Sequence, residues 1–219
     1  MTLYRLDASI RTEGSVSRAV ADTVQAAWRA QHPDASITRR DIGLDPLPAD
    51  TWSTIIRSVM NPGAEPTPAV TAATSLAATL ADELVAADAY LFAIPLYNYG
   101  VPASVKNWVD TLITTPAFAP GAPSAIAGRP GILVTVRGGG YAPGTPREGW
   151  DHNTPYLRRV LVDMWGLDLE IVEAELTLAE VTPAMAELRP LAAESLANAH
   201  TNAELTGKAL AERLSASAA

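Results

Sequence analysis

Two loops of the sequence combine residue types that can hold a ligand. The first, Leu96-Tyr97-Asn98-Tyr99-Gly100, offers two aromatic rings, an amide and a glycine directly after Pro95. Aromatic faces can stack on a flat heterocycle, and the amide and backbone groups can hydrogen-bond to it. The preceding apolar run, Ala89–Ile94, predicts a buried strand. Because ligands of open α/β sheets bind beyond the carboxyl ends of the strands, we expect the chemistry of this protein here.

The second loop lies between the first predicted strand and the first predicted helix. Its hydroxyl-bearing residues are Ser9, Thr12, Ser15 and Ser17, with Gly14 between them. Hydroxyl and amide donors at the positive end of a helix dipole suit a phosphate monoester, and Arg11 can add charge or point to water. The alternative is that Ser15 or Ser17 is only a helix N-cap.

The elements that must position these loops are strands and helices that alternate along the chain. The predicted strands are Leu3–Ser9, Ser36–Asp41, Ala89–Ile94, Gly131–Val136 and Leu167–Glu173. The predicted helices are Val16–Ala30, Trp52–Val59, Ala69–Ala87, Pro102–Thr114, Pro155–Met164 and Pro183–Leu214, with a break expected at Pro190. This alternation, with strands that read as buried, predicts a parallel sheet covered by helices on both faces.

Two sheet architectures fit that alternation, the flavodoxin-like sheet and the Rossmann sheet. The glycine-rich fingerprint of the Rossmann sheet is absent after the first strand, where Ser9–Ser17 stands instead. We therefore predict an α/β, flavodoxin-like fold with five parallel strands in the order 2-1-3-4-5. Residues 1–214 are expected to form one domain, and residues 215–219 a disordered tail.

Composition narrows the classes of function. The 219 residues carry a net charge of −8, which argues against a nucleic-acid partner. The chain has no cysteine and only three histidines, so we expect no metal site. No apolar run reaches the roughly 20 residues of a membrane helix, and no signal-peptide pattern is present. These features predict a cytoplasmic protein without a membrane partner.

Taken in order, the motifs resemble those of a known family. They are Ser9 with Ser15-Val16-Ser17, Arg40-Asp41 with Asp45-Pro-Leu-Pro48, Pro95–Tyr99 with Lys106 and Asp110, Arg137-Gly138-Gly139, and Pro155-Tyr-Leu157 with Gly166. This set resembles the FMN-dependent NADH azoreductases, also described as NADH:quinone oxidoreductases. That family is flavodoxin-like and homodimeric.

The resemblance implies non-covalent FMN and an electron donor that is NADH or NADPH. A hydride passes to FMN, and the nicotinamide then gives way to a quinone, azo or similar aromatic acceptor in a ping-pong cycle. The residues implied at the phosphate are Ser9, Arg11, Ser15, Val16 and Ser17. Those implied at the flavin ring are Pro95, Leu96, Tyr97, Asn98 and Tyr99, with Arg137, Gly138 and Gly139 at its polar edge.

Departures from the family concern the acceptor side. Val136 stands where the family often has a serine, Leu176 replaces a glycine, and the loop 140–153 is unusually rich in proline and glycine. We interpret Tyr99, Tyr141 and Trp150 as a substrate-facing wall. His152 is a candidate proton donor, although a solvent-facing histidine is the alternative. No other catalytic side chain is expected, because water can protonate a reduced acceptor.

Other functions remain open on the sequence alone. A flavin reductase that supplies reduced flavin to a partner would use the same fold, as would a flavodoxin-like electron carrier. A hydrolase using Ser9 is the least favoured, because we expect nothing near Ser9 to act as its base.

Overall fold

A computed structural model describes residues 1–217 of the chain, and these residues form one parallel sheet of five strands in the order β2-β1-β3-β4-β5. The strands are β1 (Thr2–Asp7), β2 (Ser36–Asp41), β3 (Ala89–Pro95), β4 (Pro130–Val136) and β5 (Asp168–Ala174). This order confirms the predicted flavodoxin-like fold. It makes β1 and β3 neighbours, so the two candidate loops leave the sheet side by side.

Helices cover both faces of the sheet. They are α1 (Val16–Gln31), α2 (Thr51–Val59), α3 (Pro68–Val85), α4 (Ala103–Ile113), α5 (Thr154–Arg158) and α6 (Arg189–Ser217). A π-helical turn, Arg159–Met164, continues α5, and a 3-10 turn, Pro183–Leu188, precedes α6.

The central strand β3 shows why the sheet needs both layers. Tyr90, Phe92 and Ile94 enter a core with Trp108 of α4 and Leu84 of α3. The alternating residues Ala89, Leu91 and Ala93 enter a second core with Val24 and Trp28 of α1 and Ala203 of α6. Successive side chains of a strand point to opposite faces, so a strand buried on both faces is apolar throughout.

The end of the chain differs in detail from the sequence expectation. The chain is not interrupted at Pro190: the 3-10 turn passes directly into α6 at Arg189, so only the helix type changes, and Pro190 lies in the first turn of α6. Helix α6 continues through residues 215–217, which the sequence assigned to a tail. Residues 218 and 219 of that tail lie outside the described residues. Among residues 1–217, no helix is both long and apolar enough to span a bilayer.

Candidate functional site

The serine loop carries a row of free donors. Ser15 is the N-cap of α1, and its Oγ accepts from the Arg18 amide at 3.5 Å and lies 3.3 Å from Ser17 Oγ. Both hydroxyl groups are buried. Within residues 1–217, the backbone amides of residues 12–17 have no acceptor. Capping and phosphate binding are therefore compatible, because capping uses one hydroxyl and leaves these amides free.

The aromatic loop is a tight turn of the type I′ pattern. Tyr97 and Gly100 exchange two backbone hydrogen bonds of 3.0 Å, and the central residues Asn98 and Tyr99 have φ angles of 49° and 69°. Asparagine tolerates this left-handed conformation, whereas a tyrosine adopts it at a cost. Such strain at the end of a central strand is typical of a functional site.

The hydroxyl group of Tyr97 joins the two loops. It lies 3.3 Å from Ser9 Oγ and accepts a hydrogen bond of 3.2 Å from the Ile10 amide. Within the serine loop, the Arg11 amide donates a hydrogen bond of 3.3 Å to Ser9 Oγ. The aromatic turn is thus fixed against the serine loop by polar contacts at the carboxyl ends of β1 and β3.

A third wall comes from the glycine loop after β4. The carbonyl groups of Arg137, Gly138 and Gly139 accept hydrogen bonds from the amides of residues 177, 178 and 176 respectively. The amides of Gly138 and Gly139 then have no acceptor within the described part of the chain. A Cβ on Gly138 would lie 2.6 Å from Leu178 Cδ1, so any larger residue there would require the Leu178 side chain to move.

These three walls enclose a cavity of about 330 Å³ at the carboxyl edge of the sheet. The predicted cofactor residues that line it are Ser9, Arg11, Ser15, Val16, Ser17, Pro95, Leu96, Tyr97 and Gly138. The sequence did not single out Ile10, Thr177 or Leu178, which also line it together with Val136. Asn98, Tyr99, Arg137 and Gly139 are not part of the lining.

Arg137 lies apart from that cavity because its guanidinium binds three carboxylates. Its nitrogen atoms lie 2.6 Å from Asp151 Oδ2, 2.7 Å from Glu173 Oε1 and 3.0 Å from Glu175 Oε1. Burial alone would lower the pKa of Arg137, but the carboxylates raise it above its usual value. The side chain lines a separate cavity of about 600 Å³. The structure therefore does not bring this guanidinium to the cavity of the serine loop.

The three residues of the predicted acceptor wall, Tyr99, Tyr141 and Trp150, do not line the serine-loop cavity. The rings of Tyr99 and Trp150 meet edge to face, with centroids 5.5 Å apart and planes at 79°. The amide of His152 donates to the Tyr99 carbonyl at 2.9 Å, while His152 itself is exposed. Tyr141 lines the second cavity, beside Arg137. Tyr99 and Trp150 are thus in ring contact, whereas Tyr141 lines the second cavity.

The donor set of the serine-loop cavity fits FMN. The buried hydroxyl groups of Ser15 and Ser17 and the free amides of residues 12–17 match a phosphate. Leu96, Val136 and Leu178 supply apolar surface for a flat ring, and the free amides of the glycine loop can meet its polar edge. No cluster of three or more metal-ligating side chains suited to a metal ion occurs among residues 1–217.

The residues missed at this site have few local signals. Thr177 and Leu178 follow β5 in a segment without a recognisable motif. One signal was present, because Leu176 replaces a glycine of the resembled family and adopts a φ of 60°. That angle favours glycine and marks a constrained turn beside the cavity.

Comparison with known proteins places the chain. A family model described as a flavodoxin-like fold matches residues 1–209. An FMN-dependent NADH:quinone oxidoreductase of Streptomyces avermitilis is 42% identical over 216 residues, covering 98% of this chain and 99% of that protein. Another of the same name, from Frankia casuarinae, is 41% identical over 208 residues, covering 93% of this chain and 97% of that protein.

Solved structures agree at the level of the fold. An FMN-dependent NADH-azoreductase from Bacillus anthracis, solved in complex with FMN, gives a TM-score of 0.78 at 19% identity and covers 96% of this chain and all of that one (100%). An NAD(P)H:quinone oxidoreductase from Methanothermobacter marburgensis gives 0.62 at 17% identity, covering 96% of both chains. The chain therefore belongs to the flavodoxin-like family and, within it, to the group named FMN-dependent NADH:quinone oxidoreductases.

Proposed function

We propose that this chain is an FMN-dependent NAD(P)H oxidoreductase that reduces a quinone, azo or similar aromatic acceptor. The observation that carries the proposal is the cavity at the sheet edge. It joins buried hydroxyl groups and free amides at one end to apolar walls and free glycine amides at the other. The names of the relatives at 42% and 41% identity support the same activity.

Each wall has a separate task in this function. Ser9, Ser15, Ser17 and the amides of residues 12–17 hold the phosphate of FMN without covalent attachment. Leu96, Val136 and Leu178 exclude water from the ring, and the amides of Gly138 and Gly139 donate to its polar edge. The chemistry that FMN supplies when bound is hydride transfer between a nicotinamide and an acceptor. The protein thus needs to bind and orient more than to donate or remove protons.

The outer residues suit the acceptor. Tyr99 and Trp150 are 42% and 50% exposed, and Tyr99 follows the cavity-lining Tyr97 by two residues, so an aromatic acceptor can pack on this ring pair. Asn98 and Gly139 adjoin the cavity lining through Tyr97 and Gly138. We keep His152 as a candidate proton donor, because its backbone is tied to Tyr99. A flavin reductase and an electron carrier are not favoured by the names of the relatives.

The test is a visible spectrum of the purified protein with FMN, recorded before and after anaerobic addition of NADH and then NADPH. We expect a bound flavin spectrum that bleaches with one donor and returns when a quinone is added. Bound flavin that ignores both donors would point to an electron carrier. Failure to bind FMN would contradict the proposal as a whole.

We also propose that the protein is a homodimer, as the family resemblance implies. Helix α2 supports this, because Trp52, Val59 and Met60 are 44%, 68% and 79% exposed on the outer surface. Val59→Asp together with Met60→Asp should yield monomers in sedimentation velocity. Leu205→Asp is the control, because Leu205 is also an exposed apolar residue, 59% accessible, on α6. Dimers that persist in the double variant would contradict an interface at α2.

A cytoplasmic location and the absence of a nucleic-acid or membrane partner stay predictions. They rest on the net charge of −8 and the lack of a long apolar run in the sequence. Fractionation of the native host would test the location directly.

A further inference from the structure

Two residues outside the cavity lining hold the serine loop in place. Arg18 stands in the first turn of α1, and Asp41 is the last residue of β2. We propose that both are positioning residues that fix the peptide between Ser9 and Ile10 and so set the phosphate affinity of the loop. This inference rests on the proposed function, because it takes the phosphate to be that of FMN.

Arg18 binds Asp41 and the serine loop at the same time. Its Nη1 lies 2.5 Å from Asp41 Oδ2 and its Nη2 lies 2.9 Å from Asp41 Oδ1. The same Nη2 donates to the Ser9 carbonyl at 2.6 Å. The arginine side chain is only 11% exposed, so water competes little for these contacts. One guanidinium therefore couples the end of β2 to the start of the serine loop.

Fixing this carbonyl also fixes the next amide. In a trans peptide the C=O and N–H groups point in opposite directions. With its carbonyl held by Arg18, the Ser9–Ile10 peptide directs the Ile10 amide to Tyr97 Oη, 3.2 Å away. Tyr97, Ser9 and Ile10 all line the cavity. Arg18 thus affects the cavity through the Ser9–Ile10 peptide, although its own side chain is not part of the cavity lining.

Asp41 adds a second brace from the other side of that carbonyl. Its Oδ1 accepts the amides of Gly43 at 3.2 Å and Leu44 at 3.0 Å, which folds the chain after β2 into a tight turn. The turn presses Gly43 against Ser9, since a Cβ on Gly43 would lie 2.2 Å from the Ser9 oxygen. Any side chain there would displace the carbonyl that Arg18 holds.

Buried charges beneath the loop keep Arg18 from moving. Asp7 is fully buried, pairs with Arg5 at 3.0 Å and Arg39 at 2.7 Å, and lies 3.9 Å from Arg18. Its location under α1 anchors Arg18 in a network of alternating charges. The loop is therefore preorganised, and preorganised donors bind a phosphate without an ordering cost.

The experiment is a fluorescence titration of apo-protein with FMN and, separately, with riboflavin, which lacks the phosphate. The ratio of the two dissociation constants reports on the phosphate alone. We expect wild-type protein to prefer FMN, and Arg18→Met to reduce that preference about tenfold while riboflavin affinity changes little. The FMN preference of Arg18→Lys should lie between those of wild type and Arg18→Met, because the lysine ammonium keeps the charge but cannot reproduce the planar guanidinium fork.

Two matched controls separate positioning from general loss of stability. Arg40→Met removes a comparable, partly buried ion pair with Glu83, one residue before Asp41, and should leave the FMN-to-riboflavin ratio unchanged. Gly43→Ala moves the Ser9 carbonyl without changing charge and should also reduce the ratio. Gly63→Ala is its control, because nothing lies within 4 Å of that Cβ.

The outcomes distinguish this proposal from the proposed function. A wild-type protein with no preference for FMN would remove the phosphate site and overturn both. A wild-type preference that survives in Arg18→Met, Arg18→Lys and Gly43→Ala would overturn the positioning role alone. A ratio reduced equally by Arg40→Met would assign the effect to stability and overturn it as well.

Discussion

Arg18 and Arg137 belong to opposite ends of the same sheet edge, yet they are used differently. Arg18 shares its guanidinium between one carboxylate and a carbonyl of the serine loop. Arg137 gives its guanidinium to Asp151, Glu173 and Glu175, and only the backbone after it reaches the cavity. Arg137, which belongs to a sequence motif, has three carboxylate partners outside the cavity lining, whereas Arg18, which belongs to no motif, contacts the Ser9 carbonyl of the serine loop. Motif membership therefore locates a loop better than it assigns its side chains.

The largest expected effect tests the Arg137 end. Arg137→Met removes the cation that three carboxylates share, which should lower the free energy of unfolding by about 2–3 kcal/mol. Its FMN affinity should change little once the folded fraction is taken into account. Urea denaturation and flavin titration would check both. Adding Glu173→Gln and Glu175→Gln to this variant should restore part of the stability. If Arg137→Met were fully stable but bound FMN more weakly, the result would support a role for Arg137 at the flavin edge.

The aromatic turn at Asn98 lies between the regions of Arg18 and Arg137, and it tests backbone conformation in place of charge. Asn98 holds a φ of 49°, so Asn98→Ala should lower the free energy of unfolding by about 1 kcal/mol, because alanine adopts that conformation poorly. Asn98→Gly should come close to wild type, since glycine adopts it freely. Chemical denaturation of the two variants separates backbone strain from loss of the amide. Equal destabilisation by both would show that the side chain matters more than the turn.

The outer ring pair extends the comparison to the acceptor. Trp150→Ala removes an edge-to-face partner of Tyr99 and should raise KM for an aromatic acceptor about two- to tenfold. The rate at which NADH reduces the flavin, measured without acceptor, should stay as in wild type if Trp150 contacts the acceptor alone. Stopped-flow and steady-state assays on one preparation would separate the two. A slower donor step would place Trp150 at the nicotinamide instead.

The smallest effect concerns pH. Burial alone would raise the pKa of Asp151, but hydrogen bonds from Thr154, Arg137 and Asn153 together lower it below its usual value. The stability that this carboxylate contributes is therefore present above about pH 3.9 and is lost as the pH falls through its lower, folded-state pKa. Asp151→Asn should be less stable than wild type at pH 7, with the difference shrinking in acid. A constant difference from pH 7 to 3 would contradict this linkage.

Most of the fold could be predicted because its three inner strands, β1, β3 and β4, are buried along nearly their whole length. Ala89–Ile94 reads as a strand without reference to any partner, and the alternation with helices sets the parallel sheet. For the π-helical turn Arg159–Met164 the sequence predicts ordinary helix, because both kinds of helix show the same apolar spacing over so short a length.

The site was less accessible to prediction because its partners are distant in sequence. Arg18 contacts Asp41 because the fold brings helix α1 beside the end of strand β2. Arg137 contacts Glu173 only because β4 and β5 pair in a particular register. Such contacts depend on tertiary geometry. The serine loop was predictable because its hydroxyl donors lie within one stretch of nine residues, Ser9–Ser17, whereas Thr177 and Leu178 enter the cavity only through the fold.

The three hydrogen bonds between residues 137–139 and 176–178 have a kinetic consequence. These amides close the glycine wall, yet the segment that supplies them includes Leu176 in a left-handed conformation. A short ladder held against local preference opens more readily than the core strands beside it. The amides of Leu176, Thr177 and Leu178 should therefore exchange with deuterium as one group, and a ligand in the cavity should slow all of them together.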